Sequence, residues 1–176
     1  LGIPPHCKQM GYPARKMKKE DFVELLEKLR ERPVSGRKLF VWVGDKQSIT
    51  DILPAEITNE VDLLQIIPDE SCSDDANIQR ELRKIVRETL QQGVQSLKGQ
   101  QVLLVSNSWV LARYKVPLSV FYKYYLGDRT LVVLQVDKSM FSGKLPEYVR
   151  LRENITLEYF RNLLPEENKD NIIERG

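Results

Sequence analysis

Leu39-Phe-Val-Trp-Val43, closed by Gly44, is the stretch that decides the fold. A short, continuous apolar run without alternation suits a strand buried on both faces, as in a parallel sheet. Working outward, Val102 to Val105 and Leu131 to Val136 repeat the pattern. Asp62 to Ile67 gives a weaker strand, ended by Pro68. Between these runs the apolar period changes. Phe22, Leu25, Leu26 and Leu29 follow i, i+3, i+4, i+7 and predict a helix over about 21–30. Asp21 with Glu24 resembles a capping box, and Pro33 and Gly36 end the helix. A short helix or turn is expected around 48–53. The longest helix, about 75–97, carries Ile78, Leu82, Ile85, Val86, Leu90, Val94 and Leu97 on one stripe, with Asp74 and Asp75 at its positive end. Two more helices are expected over 118–126 and 156–164. Strands alternating with helices predict an α/β domain with a mostly parallel sheet of four to five strands, covered by helices on both faces.

The 176 residues suit one domain, and 41% hydrophobic with 30% charged residues is the balance of a globular chain. The domain is expected over 20–165, after a basic arm at 1–19 and before a loose charged tail at 166–176. A net charge of +2 is too small to imply nucleic acid or a membrane by itself. No apolar run approaches the roughly 18–20 residues of a membrane span. Leu1 to Tyr12 lacks the apolar region of a signal peptide, so a cytoplasmic location is expected. The chain opens on Leu1, as a trimmed or excised piece would.

Residue types then exclude whole chemistries. Cys7 and Cys72 are the two cysteines and form no Cys-x-x-Cys pair, so a zinc site of the usual spacing is excluded. His6 is the single histidine and lies in the arm, which removes Ser-His-Asp and Cys-His catalysis from the domain. Carboxylates, lysines and magnesium chemistry remain.

Sites in open parallel sheets collect beyond the carboxyl ends of the strands. Gly44, Asp45, Lys46 and Ser48 stand where a phosphate-binding loop would lie, between strand one and a helix. A working loop needs more glycines and a Gly-Lys-Ser/Thr ending, and Asp45 would repel phosphate. The strand that would end in a magnesium-positioning acid runs instead into Ser106-Asn107-Ser108. Both halves of an ATPase lack their charged residues, while the strand frame is kept.

Gln101 to Leu164 resembles the second half of the small P-loop proteins of bacteriophage-exclusion (BREX) systems. The shared features are the strand Val102-Leu-Leu-Val105, the spacer Trp109 to Pro117, the helix with Tyr122, Asp128-Arg129-Thr130 before a strand, and Gly143-x-Leu145-Pro-Glu-Tyr148. The resemblance covers little more than a third of the chain. It implies a P-loop NTPase-like fold with both Walker motifs degenerate. It implies no cofactor, and a scaffold or adaptor that works through protein partners in an anti-phage defence complex. Val43 to Leu53 also looks like the first strand and helix of receiver domains, but Asn107 stands too far along the chain for their phosphoacceptor, and the likeness is a coincidence of short motifs.

The alternative reading is a nucleic-acid-binding protein or magnesium-dependent nuclease. Asp137 and Lys138 end strand four and resemble the acid and lysine of PD-(D/E)xK nucleases, although adjacent residues point to opposite faces of a strand. Such residues are more often solvated turn groups. Arg80, Arg83, Lys84 and Arg87 share one helix face, flanked by Glu81 and Glu88, and could meet phosphates. Arg15, Lys16, Lys18 and Lys19 form a second basic run in the arm. Tyr114, Tyr122, Tyr124 and Tyr125 interleave with Arg113, Lys115 and Lys123, as base-stacking groups do and as core aromatics also do. Trp109 is either a partner-binding anchor or a buried ring. The preferred reading is the non-catalytic adaptor.

Overall fold

The computed structural model describes residues 17–31, 38–66, 75–95, 101–113, 130–137, 158–162, 164, 166 and 169–174. Strand β1 (Lys38–Val43) is followed by β2 (Thr58–Asp62), β3 (Gln101–Ser106), β4 (Thr130–Val136) and β5 (Ile172–Glu174). They form one sheet in the order β2-β3-β4-β1-β5. Every pairing is parallel. The described helices are α1 (Lys19–Glu31), α2 (Lys46–Thr50), α3 (Asp75–Gln95) and α4 (Trp109–Arg113), with residues 158–162 also helical. This is the α/β class that the apolar strands predicted.

Alternation along each strand divides the core into two layers. Leu39, Val41 and Val43 face the same way as Leu103, Val105, Val132 and Leu134, and meet Val86 and Leu90 of α3, Val110 and Leu111 of α4, Phe160 and Leu164. On the other face Phe40 and Trp42 join Val102, Leu104, Leu131 and Val133 against Phe22, Leu26 and Leu29 of α1 and Ile49 of α2. Phe22 sets the centre of this layer, its ring 5.1 Å from Phe40 and 6.0 Å from Trp42. Because helices cover both faces, the inner strands have no solvent side, which is why their middles are apolar with the single exception of Gln135 in β4.

Three boundaries differ from the sequence reading. The second strand is Thr58–Asp62 rather than 62–67, and Leu63–Ile66 is a 3₁₀ turn. As an edge strand β2 keeps polar, exposed Asn59 and Glu60, so the apolar run just after it drew the assignment. The tail beyond 165 is not loose throughout. Ile172 and Ile173 point to opposite faces and are buried in one core layer each, which docks β5 beside β1. Asn171 locks that docking: its carbonyl accepts from Val41 N at 2.9 Å and its Nδ2 donates to the Leu39 carbonyl at 3.2 Å. At the other terminus the fold reaches back past Lys19. Met17 N donates to the Ile172 carbonyl at 3.2 Å, and the Met17 side chain packs on the α1 layer. Lys18 and Lys19 of the expected basic arm are exposed, with Lys19 opening α1, while residues 1–16, both cysteines, His6 and the helix expected over 118–126 lie outside the described residues, as does the Gly143 to Tyr148 stretch. Among the described residues no helix is long and apolar enough to cross a membrane.

Replacing Ile173 by Ala should cost about 2–5 kcal/mol, as truncation of a buried aliphatic side chain does. A urea melt reads this as a lower midpoint at unchanged slope, and a loss below about 0.5 kcal/mol would mean that β5 lies outside the cooperative unit. A second expectation concerns Tyr159, which stacks edge-on against Phe160 at 5.7 Å. Burial pushes its phenol from 10.0 up to about 12, opposed by the nearby charge of Arg83. The unfolded chain releases this proton first, so the folded state loses stability as pH rises from about 10 to about 12. In Tyr159→Phe the fall in stability across that range should be shallower; an identical pH profile for both proteins would contradict the assignment.

Candidate functional site

The connection leaving β1 runs to β2 at one edge of the sheet, and the connection leaving β4 runs past β1 to β5 at the other. Neighbouring strands whose connections depart in opposite directions mark the switch point of a parallel sheet, and the crevice beyond their carboxyl ends is where such folds build sites. Gly44 to Ser48, Ser106 to Ser108 and Asp137 all collect at this end.

Gln135 holds the crevice together. It is the one polar side chain within the apolar stretch Leu131 to Val136 and is 1% exposed. Its Nε2 donates to the Gly44 carbonyl at 2.8 Å, beyond β1. Its Oε1 accepts from Asn107 N at 2.9 Å, beyond β3. Its carbonyl accepts from Ser108 N at 2.7 Å, and Gly44 N donates to the next carbonyl, Val136, at 2.9 Å. One amide thus ties the ends of three strands.

The loop after β1 is closed on itself. Asp45 is the N-cap of α2, and its carboxylate accepts from Ser48 N at 3.2 Å. Ser48 Oγ donates to the Asp45 carbonyl at 2.6 Å and accepts from the indole Nε1 of Trp42 at 3.0 Å. A Cβ on Gly44 would stand 2.9 Å from that indole nitrogen and 3.0 Å from Ser48 Oγ, so only glycine passes the Trp42–Ser48 contact without displacing it. The acid at position 45 therefore meets an N–H that a phosphate loop would leave open, and the hydroxyl at position 48 faces the core.

Lys46 turns toward β2. Its Nζ lies 2.5 Å from Glu60 Oε1. That hydrogen bond, with the charges of Glu60 and Asp62, holds the ammonium above the ordinary lysine value, against a smaller opposing effect of burial. Glu60 also accepts from Ser106 Oγ at 2.5 Å. Asp62 accepts from Asn107 Nδ2 at 2.8 Å. Asn107 adopts a left-handed backbone with φ 58°, a conformation that asparagine tolerates better than most residues, and its two bonds hold it there. The carboxylates missing from the end of β3 are thus supplied by its neighbour β2, where they are bound to protein groups.

The other expected residues fall elsewhere. Arg80, Lys84 and Arg87 are exposed on α3, while Arg83 is half-buried near Tyr159. Asp137 ends β4 half-buried, and Lys138 lies outside the described residues. Trp109 is 3% exposed within the core, so it is no surface anchor; its indole nitrogen has no hydrogen-bond partner. The interleaved tyrosines Tyr114, Tyr122, Tyr124 and Tyr125 lie outside the described residues. Among the described residues no group of three or more His, Cys, Asp or Glu side chains could hold a metal ion. Sequence reasoning overlooked Glu60 and Asp62 because the second strand was placed too late. It also passed over the amide of Gln135 as a structural tie; a lone polar residue inside an unbroken apolar strand was the available signal, since a buried amide must find partners. No protein-family model matches the chain, and no curated protein matches it.

Gln135→Leu keeps the side-chain bulk but leaves the Gly44 carbonyl and Asn107 N–H unpaired. The expected loss is about 2–4 kcal/mol by chemical denaturation. A loss within about 0.5 kcal/mol would mean that water replaces both bonds and the amide is no clamp.

Proposed function

We propose that this chain is a non-catalytic α/β module: a P-loop NTPase-like frame whose nucleotide site has become part of the scaffold. It serves as an adaptor for protein partners in a cytoplasmic, prokaryotic anti-phage assembly. The observation that carries the reading is the occupation of the loop after β1. The Asp45 carboxylate accepts from the first turn of α2, and Lys46 is paired with Glu60. A nucleotide would have to displace a fixed carboxylate with its own phosphates, like charge against like, and pull the lysine from its partner. The BREX resemblance supplies the biological setting of the proposal, and no cofactor is invoked.

Calorimetry with magnesium and ATP tests the nucleotide half directly. Binding no tighter than millimolar is expected, and a micromolar constant would overturn the degenerate-site reading. Affinity capture of the tagged chain from a prokaryote carrying a defence locus tests the other half. The expected result is co-purification with proteins of that locus and no magnesium-dependent hydrolysis of nucleotide or nucleic acid. Hydrolysis abolished by Asp137→Ala would favour the nuclease instead.

A further inference from the structure

The geometry points to the exposed cationic flank of α3, Arg80, Lys84 and Arg87, as a binding surface for the phosphate backbone of a nucleic-acid duplex. The inference goes beyond the adaptor reading and does not depend on it. Val86 and Leu90 of α3 are fully buried against the sheet, which fixes how the helix is turned. At 3.6 residues per turn Arg87, Arg80 and Lys84 then fall within an arc of about 60° along one flank of the helix, roughly 80–140° round from the buried face. All three are exposed. The exposed acids Glu88 and Glu81 lie roughly 40–60° beyond Lys84, border the stripe on one side and point most directly away from the core. Lys84 and Glu88 stand at the i, i+4 spacing that favours a helix ion pair, yet the ion pairs found among the described residues include none at Arg80, Lys84 or Arg87. Other surface lysines divide: Lys28 pairs with Glu24 at 3.1 Å, Lys46 with Glu60 and Lys169 with Glu166 at 3.0 Å, while exposed Lys18 and Lys19 are in none of these pairs. The α3 cations differ from Lys18 and Lys19 in being three in a row on one helix flank.

The shape fits a backbone rather than a single phosphate. Arg80 and Arg87 are about 10 Å apart along the helix axis, comparable to the span of one to two phosphate steps on a duplex strand. The row is straight, borne on a helix of 21 residues, and its underside is anchored in the core. Arg83, half-buried on the core side of the stripe, is near enough to Tyr159 for its charge to act on the phenol. The row is spaced for backbone phosphates, so the expected binding is indifferent to sequence.

The test is fluorescence anisotropy of the full chain with a labelled DNA duplex of mixed sequence, titrated with salt. Binding is expected at about 50 mM salt, with log affinity falling against log salt at a slope of roughly −2 to −3, as for two to three phosphate contacts. Arg80→Glu combined with Arg87→Glu should weaken binding at least about tenfold on every duplex tried and flatten that slope. Glu81→Gln combined with Glu88→Gln, which leaves the three cations in place, should tighten it a few-fold; a purely structural role for the stripe would not produce that gain. Absence of binding at low salt would overturn the proposal. So would affinity unmoved by either pair of substitutions, or binding to anionic phospholipid vesicles in preference to the duplex.

Discussion

A single buried amide sets the terms for the rest of this structure. Gln135 stands in the middle of a five-strand sheet with apolar layers on both sides, where water cannot satisfy it. Its nitrogen and oxygen must bond to protein, and they reach in opposite directions, to Gly44 beyond β1 and Asn107 beyond β3. The relative height of the three strand ends follows. So does the left-handed turn at Asn107, because the residue after β3 has to present its N–H sideways to the amide. Polar residues buried in this way select one arrangement among the many that apolar packing alone would accept.

The bonds that order the crevice also pair its polar groups with one another. A catalytic or ligand-binding site keeps donors and charges aimed at an absent partner, which costs stability in the empty protein. Here Asp45, Lys46, Ser48, Glu60, Asp62 and Asn107 all have partners within the chain. The polar groups at the switch point are thereby built into the scaffold. On the described surface the exposed cations of α3, like Lys18 and Lys19, are in none of the ion pairs formed by Lys28, Lys46 and Lys169.

The inner strands were readable because burial on both faces demands uninterrupted apolar residues, and β1, β3 and β4 obey that demand to within a residue. The edges were not. Thr58 to Asp62 reads as a polar segment, since half of an edge strand faces water, and Ile172-Ile173-Glu174 is too short to register as a strand when read alone. Their placement comes from pairing with β3 and β1, which is non-local information. The candidate site was legible in part for the same reason. Gly44 to Ser48 follow directly from the end of β1, and Asn107 from the end of β3. Glu60, whose carboxylate meets both Lys46 and Ser106, lies on a strand whose position depends on the fold. The α3 stripe was visible as a periodicity, and only the burial of Val86 and Leu90 decided which side of it faces solvent.

The position of β1 also bears on how the chain comes to be folded. Its two neighbours in the sheet arrive late: the Gln135 amide meets Gly44 across 91 residues, and the Asn171 amide meets Leu39 across 132. During synthesis on the ribosome, the wholly apolar stretch of this strand is therefore made early and spends many seconds with both of its hydrogen-bonding edges open. Contacts of such long sequence separation also make for slow closure once the partners exist. Until then Leu39 to Val43 is an attractive target for a holdase chaperone, or for the same segment of another nascent chain. The architecture that buries β1 on both faces in the finished molecule thus makes that strand a hazard of its manufacture.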